Sequence, residues 1–185
     1  LFMCCPTGDG AAAALLTTAE RVRQLGVIPV KVAASVLQSG YFKTGFRDMS
    51  FADLTWRTSR IAYEQAGIGP EDLDVVEVHD AFTIAELMYY EALGLCGRGE
   101  GKELIDRGDT GITGRIPVNP SGGLLCRGHP VGATGVAQIC EATWQLRGQA
   151  GGRQVSNPRA ALTHCTGGGI SGVDHGACSI HILTR

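Results

Sequence analysis

The sequence has no uninterrupted apolar run of the ~18 residues that a membrane-spanning helix requires. Its first residues also lack the basic region and the hydrophobic segment of a signal peptide. Basic clusters are missing too, and a formal net charge of −2 with an isoelectric point near 6.2 disfavours binding to the phosphate backbone of nucleic acids. We therefore expect a cytoplasmic protein that binds neither membranes nor nucleic acids.

Paired cysteines are missing as well. The chain contains seven cysteines, an odd number, and none of them belongs to a CxxC pair. This pattern supports neither a disulfide framework nor a zinc site, and we predict no bound metal. Most of the thiols are expected to be small, buried and inert, so the question is which one is reactive.

The chain is nevertheless rich enough in apolar residues to form one domain with a sizeable core, since 44% of its 185 residues are hydrophobic. Hydrophobic spacing and glycine positions predict strands that alternate with helices, which indicates an α/β layered fold with a mixed sheet. The last two strands are close in sequence and are expected to pair antiparallel. The predicted helices cover residues 19–26, 51–67, 81–95 and 135–148, and the predicted strands cover 28–37, 73–78, 159–165 and 177–183.

Other stretches give weaker signals. Residues 9–18 fit either a buried strand or the start of a helix, because periodicity does not separate the two in a short apolar run. Residues 101–116 are polar and rich in glycine, and they are expected to cross the surface. Both tryptophans lie at helical spacing and are expected in the core. The residues expected to face the core from the last helix are Val136, Ile139, Cys140 and Trp144.

The most constrained stretch is residues 119–135, NPSGGLLCRGHPVGATG, which packs five glycines around one histidine, His129. Glycine permits positive φ and close backbone approach, and Pro130 fixes φ directly after the histidine. Such a loop has one detailed shape and presents one imidazole, which favours a catalytic role. The alternative is a glycine-rich turn whose histidine only caps the structure.

Two more motifs follow predicted strands. The sequence HDAF at residues 79–82 comes after the strand at 73–78, and CTGGG at residues 165–169 ends the strand at 159–165. In open α/β sheets, ligands bind outside the carboxyl ends of the strands. Each motif alone is weak, because HDAF also fits a strand-end cap and most buried cysteines are inert.

Together, HDAF, GHPVGATG and CTGGG resemble the carboxyl-terminal half of the thiolase superfamily. The stretch CPTGDGAAAALL at residues 5–16 is similar to the last strand of the amino-terminal thiolase half. His79 stands where many thiolases carry asparagine, which resembles the sterol-carrier-protein or lipid-transfer-type branch. The resemblance implies a thiolase-like layered fold with helices on both faces of the sheet, residues 1–26 ending the amino-terminal half and residues 27–185 forming the carboxyl-terminal domain.

The resemblance also implies roles for individual residues. His129 would activate the nucleophilic thiol, and Cys165 would shuttle the second proton. His79 would take the asparagine role in the first oxyanion site, and the backbone amide of Gly167 would form part of the second. Gly168 and Phe82 would contact the substrate. Coenzyme A would enter as a substrate, with no covalently bound cofactor, and its binding residues stay unassigned.

In thiolases the acyl-accepting cysteine lies in the amino-terminal half, and neither Cys4 nor Cys5 stands in that motif. We therefore expect a fragment or a separately encoded half that is inactive alone. Its expected partners are acyl-CoA and CoA, a homo-oligomer or a complementing amino-terminal half, and an OB-fold zinc protein.

Two other functions fit the resemblance. Thiolase-like aldolases of the steroid side-chain type cleave a β-hydroxyacyl thioester, and they carry tyrosines at the positions that match His79 and His129, which favours the thiolase. A non-catalytic lipid-transfer or scaffold subunit is the third reading, and the intact set of His79, His129 and Cys165 argues against it. The other histidines are expected to be structural: His164 packs on the face opposite Cys165, His175 lies in a turn and His181 on a strand surface.

Overall fold

The computed structural model describes residues 3–42, 44–45, 48–169 and 175–185, and for His175 the backbone alone. Its centre is a four-stranded sheet in the order β1-β4-β3-β2. Strand β3 pairs parallel with β2 and antiparallel with β4, which pairs antiparallel with β1. The mixed sheet and the antiparallel pairing of the last two strands are confirmed. The strands are β1 Lys31–Ser39, β2 Val75–Glu77, β3 Ala160–Gly169 and β4 His175–Thr184.

The part of the chain that the structure describes contains six α-helices, and four of them match predicted helices. None of the helices that the structure describes is long and apolar enough to cross a membrane. Gly67 ends the second helix in the left-handed conformation, as its position predicts. The helices are α1 Ala19–Leu25, α2 Asp53–Ala66, α3 Thr83–Ala92, α4 Gly101–Asp106, α5 Gly123–Arg127 and α6 Thr134–Arg147; short 3₁₀ turns occupy Pro70–Asp72 and Gly151–Arg153.

Helices cover both faces of the sheet, as expected. Side chains alternate along each strand, so neighbouring residues belong to different layers. Leu162 and Ile180 belong to the larger core cluster with residues of α2 and α3. Ala161 and Leu183 belong to the smaller cluster with Ala142 and Leu146 of α6. The sheet is therefore the middle layer of three.

The face of α6 that lies on the sheet differs from the predicted one. Trp144 is 46% exposed, and Trp56 of α2 is 44% exposed, so neither tryptophan belongs to the core. Val136, Ile139 and Cys140 are only partly buried. The hydrophobic pattern predicted the wrong face of α6, because most of the side chains on the buried face are polar. The buried residues of α6 are Thr134, Gln138, Glu141, Ala142, Gln145 and Leu146.

Three other stretches differ from expectation. Residues 101–116 are mostly exposed, as expected, but they contain α4, and the fully buried side chains of Leu104 and Ile116 anchor the stretch to the core. Residues 8–18 form neither strand nor helix, and Leu15 is 90% exposed. His175 begins β4 and does not lie in a turn.

Candidate active site

The carboxyl ends of β2 and β3 lie side by side because the two strands are parallel. His79 follows β2 by two residues, and Cys165 lies in the second half of β3. The His79 Nδ1 atom is 3.4 Å from the Cys165 Sγ atom, and His79 is 8% exposed. The first two predicted site residues therefore touch.

His129 reaches the same place from the loop between α5 and α6. Its ring centre is 4.9 Å from that of His79, and the two rings meet edge to face at 88°. His79 thus contacts both Cys165 and His129. The structure brings together the three side chains that the motifs singled out, although they come from distant parts of the chain.

The remaining predicted site residues lie further along the same elements. Gly167 and Gly168 follow Cys165 within β3, where Gly167 is in register with Ala177. Gly168 adopts a φ of +70°, a backbone conformation that favours glycine. Phe82 precedes α3 and its side chain is 53% exposed. The glycines border the thiol, whereas the Phe82 ring faces outward.

A hydrogen-bond chain fixes the imidazole of His129. The Nδ1 atom lies 2.8 Å from the Thr134 Oγ1 atom, and this hydroxyl lies 3.1 Å from the Pro130 carbonyl oxygen. Since a carbonyl only accepts, the hydroxyl donates its proton there and accepts from Nδ1–H. Nε2 is then the basic nitrogen. Burial lowers the pKa of His129, and the positive charge of Arg127 lowers it further, so the ring is neutral near pH 7.

The thiol of Cys165 is half-buried beneath the first turn of α6. Gly135 lies so close that a Cβ atom there would be 3.5 Å from the sulfur. Burial raises the pKa of Cys165, and the nearby Arg127 guanidinium opposes the rise only in part. The group is therefore a thiol at neutral pH and suits a proton donor better than a standing nucleophile.

Asp80 organises the approach to His129, a role that the sequence did not reveal. It is 2% exposed and accepts hydrogen bonds from the amides of Leu124 at 2.7 Å and Leu125 at 3.4 Å, at the start of α5. Burial raises its pKa, and these two hydrogen bonds oppose the rise. Gly123 packs against the carboxylate with a φ of +61°, and a Cβ atom there would overlap it. Asp80 therefore fixes the short helix that leads into the His129 loop.

The amino-terminal segment ties the two histidine loops together. The amide of Cys5 donates to the Ala81 carbonyl at 2.9 Å, next to HDAF. The amide of His129 donates to the Pro6 carbonyl at 2.8 Å. No sequence pattern in residues 3–8 predicts these two hydrogen bonds, because they are made by backbone groups that every residue carries.

His164 supports His79 from the opposite face of β3. Its side chain is fully buried, and its Nε2 atom lies 3.0 Å from the Thr55 hydroxyl oxygen of α2. The His79 amide donates to its Nδ1 atom over 3.4 Å, and its ring centre is 4.4 Å from that of Tyr89. His164 therefore packs opposite Cys165, as expected, and also holds the backbone at His79. His181 is half-buried on β4 and contacts the Ser35 hydroxyl at 3.1 Å between its Nδ1 and Oγ.

Comparison with known proteins gives a consistent family. A family described as thiolase C-terminal domain-like matches residues 44–178. The chain is 48% identical over 171 residues to the benzoylsuccinyl-CoA thiolase subunit BbsB of Thauera aromatica, covering 91% of this chain and 44% of that protein. It is 45% identical over 173 residues to human sterol carrier protein 2, covering 90% of this chain and 32% of that protein. It is 45% identical over 186 residues to an acetyl-CoA acetyltransferase of Methanothermobacter thermautotrophicus, covering 100% of this chain and 47% of that protein.

A solved structure has the same fold. A chain of an Ltp2-ChsH2(DUF35) aldolase superposes with a TM-score of 0.77 at 27% sequence identity, covering 90% of this chain and 42% of that chain. This chain thus spans less than half the length of each of these relatives. It belongs to the thiolase superfamily, in which it corresponds to the carboxyl-terminal domain of thiolases and of the sterol-carrier-protein type of thiolase.

Proposed function

We propose that this chain is the carboxyl-terminal half of an acyltransferase of the thiolase type, which acts on 3-oxoacyl-CoA thioesters with coenzyme A as the second substrate. The convergence of His79, His129 and Cys165 carries the proposal, because two imidazoles and a thiol around one point supply the proton transfers and the oxyanion contact of a Claisen reaction. The nucleophilic cysteine belongs to an amino-terminal half, so the chain is inactive alone.

In thiolysis, Nε2 of His129 takes the proton of the nucleophilic thiol, and the thiolate attacks the 3-oxo carbonyl carbon. The bond between C2 and C3 of the substrate breaks, and its electron pair moves to C2 to give the enolate of acetyl-CoA. Cys165 donates its proton to C2, which releases acetyl-CoA. Cys165 then takes the proton of the incoming CoA thiol, which attacks the carbonyl carbon of the acyl-enzyme. The thioester bond to the nucleophile breaks, the shortened acyl-CoA leaves, and the nucleophile recovers its proton from His129.

Two oxygen atoms of the substrate, that of the thioester and that of the carbonyl under attack, need hydrogen-bond donors during the reaction. His79 and His129 donate to the thioester oxygen while negative charge develops on the enolate. The amide of Gly167 donates to the oxygen of the carbonyl under attack, with Gly168 keeping the backbone free of side chains, and Phe82 contacts the acyl group. The donors are held by buried neighbours before the substrate arrives, so little reorganisation is needed during the reaction.

The amino-terminal residues support a missing half. We assign residues 1–26 to the end of the amino-terminal half and residues 27–185 to the carboxyl-terminal domain. Leu15 and Leu16 are 90% and 77% exposed, and such apolar exposure in one segment indicates a protein surface that covers it. The complete protein would be cytoplasmic and oligomeric. Because a chain of the Ltp2-ChsH2(DUF35) aldolase shares the fold, an OB-fold zinc protein is the further partner that we propose.

A retro-aldolase is the second candidate, since the structural match is to an aldolase. Histidines at positions 79 and 129 favour the thiolase. The amino-terminal half discriminates between the two: a nucleophilic cysteine there means acyl transfer, and its absence means a lyase or a non-catalytic subunit.

The test compares the complete protein with the isolated chain of 185 residues. We expect the complete protein to convert 3-oxoacyl-CoA and CoA into two acyl-CoA products, and the isolated chain to give none. Turnover by the isolated chain would contradict the proposal. In the complete protein, His129→Ala is expected to lower the rate by ~10²–10⁴, and a loss below about threefold would favour a scaffold role instead.

A further inference from the structure

A row of polar residues crosses the whole sheet beneath α6. Glu77 of β2 is in register with Thr163 of β3, Thr163 with His181 of β4, and His181 with Ser35 of β1. Register partners in a sheet point to the same face. Val75 and Ala161 precede Glu77 and Thr163 on that face and pack with Ala142 and Leu146 of α6. Glu77 and Thr163 therefore lie in a layer that otherwise excludes water, whereas Ser35 at the far end of the row is exposed.

Helix α6 adds two more polar side chains over this row. Gly135 lies over Cys165, whereas Ala142 and Leu146 pack with Ala161, so α6 runs antiparallel to β3. At ~1.5 Å per helical residue, Gln138 and Glu141 lie ~4.5 Å and ~9 Å beyond Gly135. At ~3.3 Å per strand residue, Thr163 lies ~6.6 Å from Cys165 in the same direction. Thr163 therefore sits between Gln138 and Glu141.

Three polar atoms of this layer lack partners in the part of the chain that the structure describes. They are both side-chain amide atoms of Gln138, Nε2 and Oε1, and the hydroxyl oxygen of Thr163. Gln138 is 0% exposed and Thr163 is 1% exposed. A buried polar group without a partner costs ~1–3 kcal/mol, and internal water is the usual remedy because it offers two to four hydrogen bonds at once.

Glu77 is the titratable group of the row, and it is 1% exposed. Its carboxylate accepts hydrogen bonds from the Ser121 amide at 3.1 Å and the Ser121 hydroxyl at 2.6 Å, and Arg127 of α5 lies 3.8 Å away. Burial nevertheless raises the pKa of Glu77 to about 7, and the charge of Glu141 adds to the rise. Of the other charged or titratable groups packed around it, Arg153 pairs with Glu141 at 2.8 Å and His181 lies two strands away in the row. Glu77 therefore exchanges a proton near neutral pH.

We propose that Gln138 and Thr163 hold an internal water beneath α6, and that this water connects Glu77 to Cys165 as a proton relay. Cys165 and Thr163 point to the same face, and their ~6.6 Å spacing along the strand is too long for a direct hydrogen bond but fits one bridging molecule. Gln138 and Thr163 are 0% and 1% exposed, so the site suits a water molecule and no larger ligand. The relay rests on the proposed function in so far as Cys165 is the acid that gives its proton to the substrate.

The relay step balances. After Cys165 has donated its proton, the carboxylic acid of Glu77 passes a proton to the water while the water passes one to the thiolate. The products are the Cys165 thiol, the Glu77 carboxylate and an unchanged water. When CoA arrives, the Glu77 carboxylate takes its proton back through the water while Cys165 takes the proton of the CoA thiol, so that Cys165, the water and Glu77 all return to their starting states. The transfer runs downhill, because burial raises the pKa of the Cys165 thiol above its ordinary range, whereas the pKa of the Glu77 carboxyl is about 7.

The water site is tested without any activity measurement, on the complete protein. A high-resolution crystal structure is expected to show a water within hydrogen-bonding distance of Gln138 and Thr163, and infrared difference spectra are expected to show a carboxylic acid band that titrates near neutral pH and disappears in Glu77→Gln. Thr163→Val is expected to displace the water, whereas Thr143→Val, on α6 with Gln138, leaves it in place. A direct hydrogen bond from Gln138 to Thr163 without water, or an absent band, would overturn the proposal.

The relay is then tested by separating the steps of turnover. Glu77→Gln and Thr163→Val are expected to leave the single-turnover rate of nucleophile acylation within twofold of wild type. Both variants are expected to slow the proton transfer at Cys165 that follows acylation by ~10-fold or more, which is at the lower end of general acid–base effects. They are also expected to alter the pH profile and the solvent isotope effect of that step. Thr163→Ser restores the wild-type profile. Unchanged profiles in both variants would overturn the relay, whereas a wild-type protein without acyl transfer would overturn the proposed function and leave the water site standing.

Discussion

The Nδ1 atom of His79 lies 3.4 Å from the Sγ atom of Cys165, although the two residues are 86 positions apart in the chain. The parallel pairing of β2 with β3 makes this contact, because it sets the ends of both strands at one edge of the sheet. His129 then completes the group against the other side of the His79 ring.

The Thr134 hydroxyl is expected to set the tautomer of His129. In Thr134→Val, Nδ1 loses its acceptor, so the ring loses its fixed orientation and the basic nitrogen no longer points reliably at the nucleophile. We expect kcat/KM of the complete protein to fall ~10-fold or more, on the lower side of general-base effects. Thr134→Ser keeps the hydroxyl and is expected to retain activity; equal loss in both variants would mean that the methyl packing matters and the hydrogen bond does not.

Gly123 is expected to be irreplaceable at the start of α5. Its φ of +61° strains any other residue, and a Cβ atom would overlap the Asp80 carboxylate. Gly123→Ala is expected to lower the free energy of unfolding by at least ~1–3 kcal/mol, measured by urea denaturation. Gly132→Ala is the matched control in the same loop, because no atom lies within 4 Å of a Cβ there; equal stability of the two variants would contradict the steric argument.

Glu77 is expected to make the protein lose stability as the pH rises. Its pKa is raised from 4.5 to about 7 in the folded state, so between these values the folded chain binds more protons than the unfolded chain. Its contribution is therefore fully present below about pH 4.5 and is lost as the pH rises through 7, with a slope of at most ~1.4 kcal/mol per pH unit.

The difference in unfolding free energy between wild type and Glu77→Gln, followed by circular dichroism in urea from pH 5 to 8, isolates this contribution. The variant is expected to lack the slope, and Glu64→Gln on the exposed surface of α2 is expected to keep it. A wild-type slope in Glu77→Gln would assign the pH dependence to another group.

Cys165 is expected to react slowly with alkylating reagents despite its position in the site. Its pKa is raised by burial, so little thiolate is present at pH 7. Cys4 and Cys126 are exposed and are expected to be modified first by iodoacetamide, and buried Cys178 last, as followed by mass spectrometry of peptides. Modification of Cys165 ahead of Cys4 would mean that neighbouring groups stabilise its thiolate more than burial opposes it.

Local chemistry explains why so much of the fold was predictable. Glycines after α1, α2 and α6 end each helix where the sequence indicated, because positive φ is easy for glycine alone. Runs of β-branched and apolar residues likewise predicted the strands of the sheet. The prediction was wrong for α6, where Gln138 and Gln145 are buried and Trp144 is exposed, because hydrophobic periodicity assumes that the buried stripe is apolar.

The sequence by itself determined the identity of the candidate site, since residue types such as a lone histidine among glycines and a cysteine before a glycine triplet carry their chemistry wherever they fold. The tertiary structure alone decided which groups support them. Backbone contacts from Pro6, the carboxylate of Asp80 beneath α5 and the polar row under α6 arise from pairings between distant segments. Such pairings leave no local pattern in the sequence, because every residue offers the same backbone groups. The residue type also does not reveal whether a carboxylate will be buried or exposed.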